Sequence, residues 1–310
     1  MHPLRLFFVL AKGFAVAGVI STWIAPSARA LEIYWSNVNR SGSNMIGGAN
    51  LDGTGVNQSF IPLTTPPNFI AVDQTHIYWG SGGNAIGRAN LDGTAVNESF
   101  MTGARGPEGV AVDGNYIYWA DLDDNTIGRA NLDGTGVNNS FITGASHPEG
   151  LAVDGTHIYW ANNTSNTIGR ANLDGTAVNQ SFITSFGASG ATGVAVDGAH
   201  IYYASYTLGL ISRGNLDGTG ELPFVGAQSP LGIAVDGTFI YWTNQEVTIG
   251  GGTTIGRARL DGTSVTTNFI ALDPLSQPVG VAIVPVPEPA TASLVLGGVL
   301  GLAVRRHRQA

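Results

Sequence analysis

Short apolar runs, each bounded by Asp, Gly and Asn, fill the chain from Leu31 to Val284. One unit, beginning at Glu108, reads EGVAVDGNYIYWADLDDNTIGRANLDGTGVNNSFIT. Its apolar runs are GVAV, YIYWA, TIGRANL and NSFIT, and its separators are DGN, DLDDN and DGTGV. Short runs rich in β-branched and aromatic residues predict strands, and separators of this composition predict hairpin turns.

The unit recurs along the chain. LDGT begins at Leu51, Leu91, Leu132, Leu173, Leu216 and Leu260, at intervals of 40, 41, 41, 43 and 44. IYW begins at Ile33, Ile77, Ile117, Ile158 and Ile240, with IYY at Ile201. Four antiparallel strands in about 40 residues make one propeller blade. AVD begins at Ala71, Ala111, Ala152, Ala195 and Ala234, and a degenerate copy, GVAIV, lies at Gly280–Val284. The array therefore starts at IYW with no AVD strand before it and ends on GVAIV with no IYW after it. Each end holds what the other lacks. The expected fold is all-β: a six-bladed propeller over residues 31–285, closed by strands from both termini so that no sheet edge is left open at the seam.

Residues 1–30 and 286–310 stand apart from the repeat. Arg5 and Lys12 precede the apolar run GFAVAGVISTWI and then APSARA, the layout of a secretory signal peptide, with Ala28 and Ala30 as the small residues of the site and cleavage before Leu31. An uncleaved anchor helix is the alternative. At the other end, Pro289 would start a helix through the uncharged run Ala290–Val304. Such a helix rises about 22 Å, short of a ~30 Å hydrocarbon core, and Arg305, Arg306 and Arg308 would stay cytoplasmic.

The order VPEP (Val286, Pro287, Glu288, Pro289), apolar segment, RRHR resembles the PEP-CTERM sorting signal of Gram-negative bacteria. The resemblance implies recognition by an exosortase-type enzyme, removal of the tail, and delivery to the cell surface or an exopolysaccharide matrix. An ordinary tail anchor is the alternative. The body resembles the YWTD repeat, the class B repeat of LDL-receptor-like proteins, through YW with two polar or small positions and then I.RANLDGT. The copies read YWSN, YWGS, YWAD, YWAN, YYAS and YWTN, so only Asp121 keeps the family's acid. That fold serves receptors, matrix proteins and enzymes alike.

Composition narrows the function further. With 44 Gly and 12% charged residues the chain is unlike a helical protein, and with no Cys it has neither disulfides nor thiolate metal sites. Between Leu31 and Val286 eight arginines and no lysine stand against 21 acids, a net charge of −13, which repels phosphate backbones and excludes nucleic acid as a partner.

Several repeated positions invite a chemical reading. His76, His157 and His200 share one offset with Tyr116 and Phe239, which reads as a slot for any flat ring rather than a metal site. Trp35, Trp79, Trp119, Trp160 and Trp242, with Tyr203, read as packing between blades, with sugar-stacking platforms as the alternative. Asp121, Asp123 and Asn125 alternate as in the opening of a calcium loop but lack its glycine and distal glutamate; a solvated hairpin tip is the other reading. The Asn-x-Ser sequons at Asn57, Asn97, Asn138 and Asn179 read as repeat chemistry, and Arg88, Arg129, Arg170, Arg213 and Arg257 are expected to meet acids or carbonyls within their blades.

The position before the GVAV strand varies: Asn68, Glu108, Glu149, Thr192, Leu231 and Val279. If that strand is innermost, these residues ring one channel mouth, where Asn68, Glu108, Glu149 and Thr192 could bind a cation as metal-dependent propeller lactonases do, or simply face channel water. The expected function is a non-catalytic, exported binding module, with a surface polysaccharide or another surface protein as ligand and no cofactor beyond the calcium option. A secreted hydrolase or lyase with a channel cation is the alternative.

Overall fold

The structure, a computed structural model, describes residues 32–39, 42–184, 190–245 and 253–284. The signal-peptide site at Ala28 and Ala30 and the sorting tail from Val286 onward lie outside the described residues. Among the described residues no helix is long and apolar enough to cross a membrane.

The described residues form six four-stranded antiparallel sheets. The blade that closes the ring joins β1 (Ile33–Asn39), β2 (Asn44–Ala49) and β3 (Asn57–Leu63) to the last strand of the chain. Next come β4 (Pro67–Val72), β5 (His76–Ser81), β6 (Ala85–Asn90) and β7 (Asn97–Thr102), then β8 (Pro107–Val112), β9 (Tyr116–Asp121), β10 (Thr126–Asn131) and β11 (Asn138–Thr143). The fourth blade is β12 (Pro148–Val153), β13 (His157–Asn162), β14 (Thr167–Asn172) and β15 (Asn179–Thr184). The fifth is β16 (Ala191–Val196), β17 (His200–Ser205), β18 (Leu210–Asn215) and β19 (Leu222–Gly226). The sixth is β20 (Pro230–Val235), β21 (Phe239–Asn244), β22 (Thr254–Arg259) and β23 (Thr266–Ala271), and the chain returns as β24 (Ser276–Ile283). β24 pairs antiparallel with β1, Ile33 opposite Ile283 and Asn39 opposite Ser276, so strands from both ends complete one blade as the repeat predicts.

Each blade is built around one cross-strand pair. Trp35, Trp79, Trp119, Trp160 and Trp242 stand opposite Gly47, Gly87, Gly128, Gly169 and Gly256. A Cβ on Gly128 would lie 2.0 Å from Cε2 of Trp119, so only glycine lets the indole lie flat on the neighbouring strand. The fifth blade has the smaller Tyr203, and there Ser212 replaces the glycine. These tryptophans are 0–1% exposed, which rules out sugar platforms and leaves packing.

Turns repeat as faithfully. Asp113 Oδ1 accepts the amides of Asn115 and Tyr116, 2.7 Å each, and its Oδ2 accepts Tyr118 Oη–H at 3.0 Å. Asp73, Asp154, Asp197 and Asp236 do the same for Tyr78, Tyr159, Tyr202 and Tyr241. In LDGT the Asp carboxylate accepts both the amide and the hydroxyl of the Thr two residues on, for Asp52 at 2.9 and 2.6 Å. The exposed sequon asparagines cap their own strand in the same way, Asn138 Oδ1 accepting the Ser140 amide at 3.0 Å.

The arginines bridge blades rather than staying within one, contrary to the expectation from sequence. Arg88, Arg129, Arg170 and Arg213 donate from Nη1 to the LDGT leucine carbonyl of the following blade, and Arg257 donates to Leu51 O at 3.2 Å, across the seam. Each also lies over a ring of its own blade, Arg129 3.9 Å from the Phe141 centroid, a geometry that adds about 0.5–2 kcal/mol of cation–π attraction. The seam blade has Gly48 where the others have arginine, and no Asp to hold Tyr34. There Tyr34 Oη–H donates to Leu91 O at 2.7 Å, completing a ring of six inter-blade bonds.

Candidate functional site

The first strand of each sheet, with β24 in the seam blade, is innermost, and neighbouring inner strands touch all the way round, β24 against β4 included. Glycine is needed here for close approach: a Cβ on Gly109 would lie 2.1 Å from Glu149 O, and one on Gly150 2.3 Å from Thr192 O. The channel between them holds a cavity of about 190 Å³ lined by Ile70, Ala71 and Val72 and their counterparts in the other five blades.

All six inner strands run the same way, so Asn68, Glu108, Glu149, Thr192, Leu231 and Val279 come together at one mouth. They are not equivalent there. Asn68 Nδ2 donates to Pro107 O at 3.0 Å, and Thr192 Oγ1 donates to Pro230 O at 3.2 Å, each tying its inner strand to the next. These two residues therefore belong to the frame. Glu108 and Glu149 sit on adjacent inner strands, partly buried, and neither has a hydrogen-bond partner among the described residues. Burial pushes the Glu108 carboxyl up to about 7, with the Asp123 charge adding to it. Burial likewise pushes Glu149 up to about 8, with Glu108 adding repulsion. Near neutral pH the pair therefore retains a proton.

Asp123 is the group at this mouth that the sequence reading assigned elsewhere. It lies on the β9–β10 hairpin tip, close enough to Glu108 to raise it. Its partners in the calcium reading are engaged with the backbone. Asp121 is fully buried and accepts the amides of Arg105 at 2.8 Å and Asp124 at 3.3 Å. Asn125 holds a left-handed turn at φ 57° and accepts the His147 amide at 2.7 Å. The Asp121 role also survives where the acid is missing. Asn37, Asn162 and Asn244 accept the equivalent loop amides from Gln277, Ser146 and Gln228 through Oδ1, at 2.8, 2.8 and 3.0 Å. Among the described residues no group of three or more His, Asp or Glu side chains could hold a metal ion.

The repeated histidines His76, His157 and His200 lie at the far end of the blades from the mouth. His76 and His157 each have Nδ1 2.7 Å from a threonine hydroxyl and pack against Tyr78 and Tyr159. They occupy the ring slot that Tyr116 and Phe239 fill in other blades, so these repeated histidines do not join the carboxyl pair.

Residues 115–154 match the profile of the low-density lipoprotein receptor repeat class B. The match covers about one repeat length of the chain. Among solved structures the chain is similar to one in a nidogen/laminin complex, with 19% identity, TM-score 0.70, and coverage of 82% of this chain and 98% of that one. It is also similar to virginiamycin B lyase of Staphylococcus aureus, solved as an inactive variant with quinupristin (19% identity, TM-score 0.53, 82% and 86% covered). A gluconolactonase of Xanthomonas campestris gives 15% identity, TM-score 0.53, and 78% and 82% covered. At such identities these likenesses establish the fold alone. No curated protein matches the sequence.

Proposed function

We propose that this is an exported, non-catalytic binding module of a Gram-negative cell surface or extracellular matrix, which takes a surface polysaccharide or a partner protein at the Glu108/Glu149 mouth. One observation carries the reading. The repeated Asp, Tyr, Thr, Asn and Arg side chains are consumed by turns and inter-blade bonds, while the two mouth carboxyls have no hydrogen-bond partner among the described residues. Half-protonated, such a pair both donates and accepts hydrogen bonds, which suits sugar hydroxyls or peptide groups. The net charge of −13 argues against a nucleic-acid ligand. Export follows from the leader ending at Ala30, and an exosortase-type enzyme would sort the protein through Val286–Pro289, the apolar run and Arg305, Arg306 and Arg308.

The second reading is a secreted hydrolase or lyase, lactonase-like, with a cation at the same mouth. It is favoured by the unpaired carboxyls themselves, since a divalent cation would displace their protons and Asp123 lies nearby. The test compares wild type with the Glu108→Gln/Glu149→Gln variant on a glycan array, in pull-downs from the native cell envelope, by metal analysis and in lactonase and lyase assays. Binding that the variant loses, without stoichiometric metal or turnover, is the expected result. A tightly held ion and a lactone-opening or lyase activity, both lost in the variant, would replace the first reading with the second.

A further inference from the structure

The exit of the chain from the propeller has a consequence for the mouth. Inner strand β24 runs away from the Glu108/Glu149 end and finishes at the opposite face. There the Val284 amide donates to Glu32 O at 2.9 Å and the Glu32 amide to Ala49 O at 2.9 Å, fixing the point where the C-terminal segment leaves. Only six residue steps separate Val284 from Ala290, the first residue of the apolar run. Fully extended, they span about 20 Å.

We infer that, with the tail inserted in a lipid bilayer, the propeller is held with the face bearing Val284 toward the membrane and the Glu108/Glu149 mouth pointing away from it. The inference rests on the reading of residues 286–310 as a membrane-inserting tail. To turn the mouth toward the bilayer, the tether would have to cross three interstrand spacings of ~4.8 Å and then descend a six-residue strand of ~20 Å, roughly 35 Å in all. A tether of about 20 Å does not reach. The membrane-facing end carries Asp73, Asp113, Asp154, Asp197 and Asp236 and the six LDGT aspartates against the five blade-bridging arginines and Arg259, so it is net negative and an anionic bilayer repels it, keeping the propeller at the end of its tether. The mouth is thereby presented to ligands arriving from outside.

The chain has no cysteine, so single labels are unambiguous. Gly155→Cys marks the membrane-facing turn, where an added Cβ meets nothing within 4 Å. Thr164→Cys marks the exposed mouth-side tip of the same blade, one strand away. The full-length protein, with a donor dye at either site, is bound to phosphatidylcholine vesicles carrying a headgroup-labelled acceptor, and co-flotation is scored separately. Co-flotation with clearly stronger quenching at Gly155→Cys is expected, and a Gly/Ser insertion of about twenty residues after Val286 should abolish the difference. Equal quenching, or stronger quenching at Thr164→Cys, in floating protein overturns the orientation while sparing the tail reading. Protein that does not float overturns the tail reading, and the orientation with it.

Discussion

Replacing Glu149 by Gln should make the protein more stable at high pH while leaving it nearly unchanged at low pH. The folded protein raises this carboxyl to about 8 by burial and by repulsion from Glu108, against about 4.3 in an unfolded chain. Between those two values the folded state binds more protons than the unfolded one, so stability is full below about pH 4 and falls as pH rises through 8. At ~1.4 kcal/mol per pH unit the ceiling of the effect is about 5 kcal/mol. Water entering the open mouth relaxes part of it, so ~1–3 kcal/mol is expected between pH 5 and pH 9. Gln keeps the shape and removes the charge. Urea unfolding at pH 5 and pH 9, with m-values compared to verify the same transition, should show wild type losing this amount and the variant losing clearly less. Identical pH slopes for the two proteins would refute the claim that the mouth desolvates Glu149.

Other substitutions probe the frame. Gly128→Ser should destabilise by more than the ~1–3 kcal/mol usual for overpacking, because its Cβ overlaps Trp119; adding Trp119→Tyr, which copies the Tyr203–Ser212 pair, should recover part of the loss in a denaturant double-mutant cycle. Asp121→Ala should cost ~1–3 kcal/mol with or without calcium, since it removes the buried acceptor of the Arg105 and Asp124 amides, and calorimetry of wild type with millimolar calcium should show no binding heat. Arg257→Ala should speed amide hydrogen exchange in β1 and β24 more than Arg129→Ala does, because the Arg257–Leu51 bond crosses the seam.

The fold was readable because each blade restates the same solution, and LDGT, IYW and AVD count the blades directly. The seam was readable too, from the complementary ends of the array. The inter-blade bonds were harder to see. Arg88 reaches Leu132 in the next blade, 44 positions on, although the equivalent Leu91 of its own blade lies only three positions away in the sequence. The exchange of roles at Tyr34, where two missing residues leave one hydroxyl to take over, has no signature in a single sequence. At the mouth, Asn68, Glu108, Glu149 and Thr192 share one repeat position in the sequence. The sequence could not separate the two that tie strands from the two that stay unpaired, because that depends on which carbonyls come within reach. Asn37, Asn162 and Asn244 make the related point that one accepting oxygen, rather than a charge, is what the loop amide requires.

The pairing of β1 with β24 also sets the order in which the molecule can assemble. Asn37 and Ser276, 239 positions apart, are joined by a 2.9 Å bond between buried side chains. The strands synthesised first therefore have no inner partner until the last strand has been made, whereas each of the other five blades is complete within its own stretch of chain. Those blades can form one after another as the chain lengthens, and the opening strands wait, exposed, for the final one. Closing the ring thus requires the most distant contact in the chain, and the oldest segment of the nascent propeller is the last to gain its inner partner.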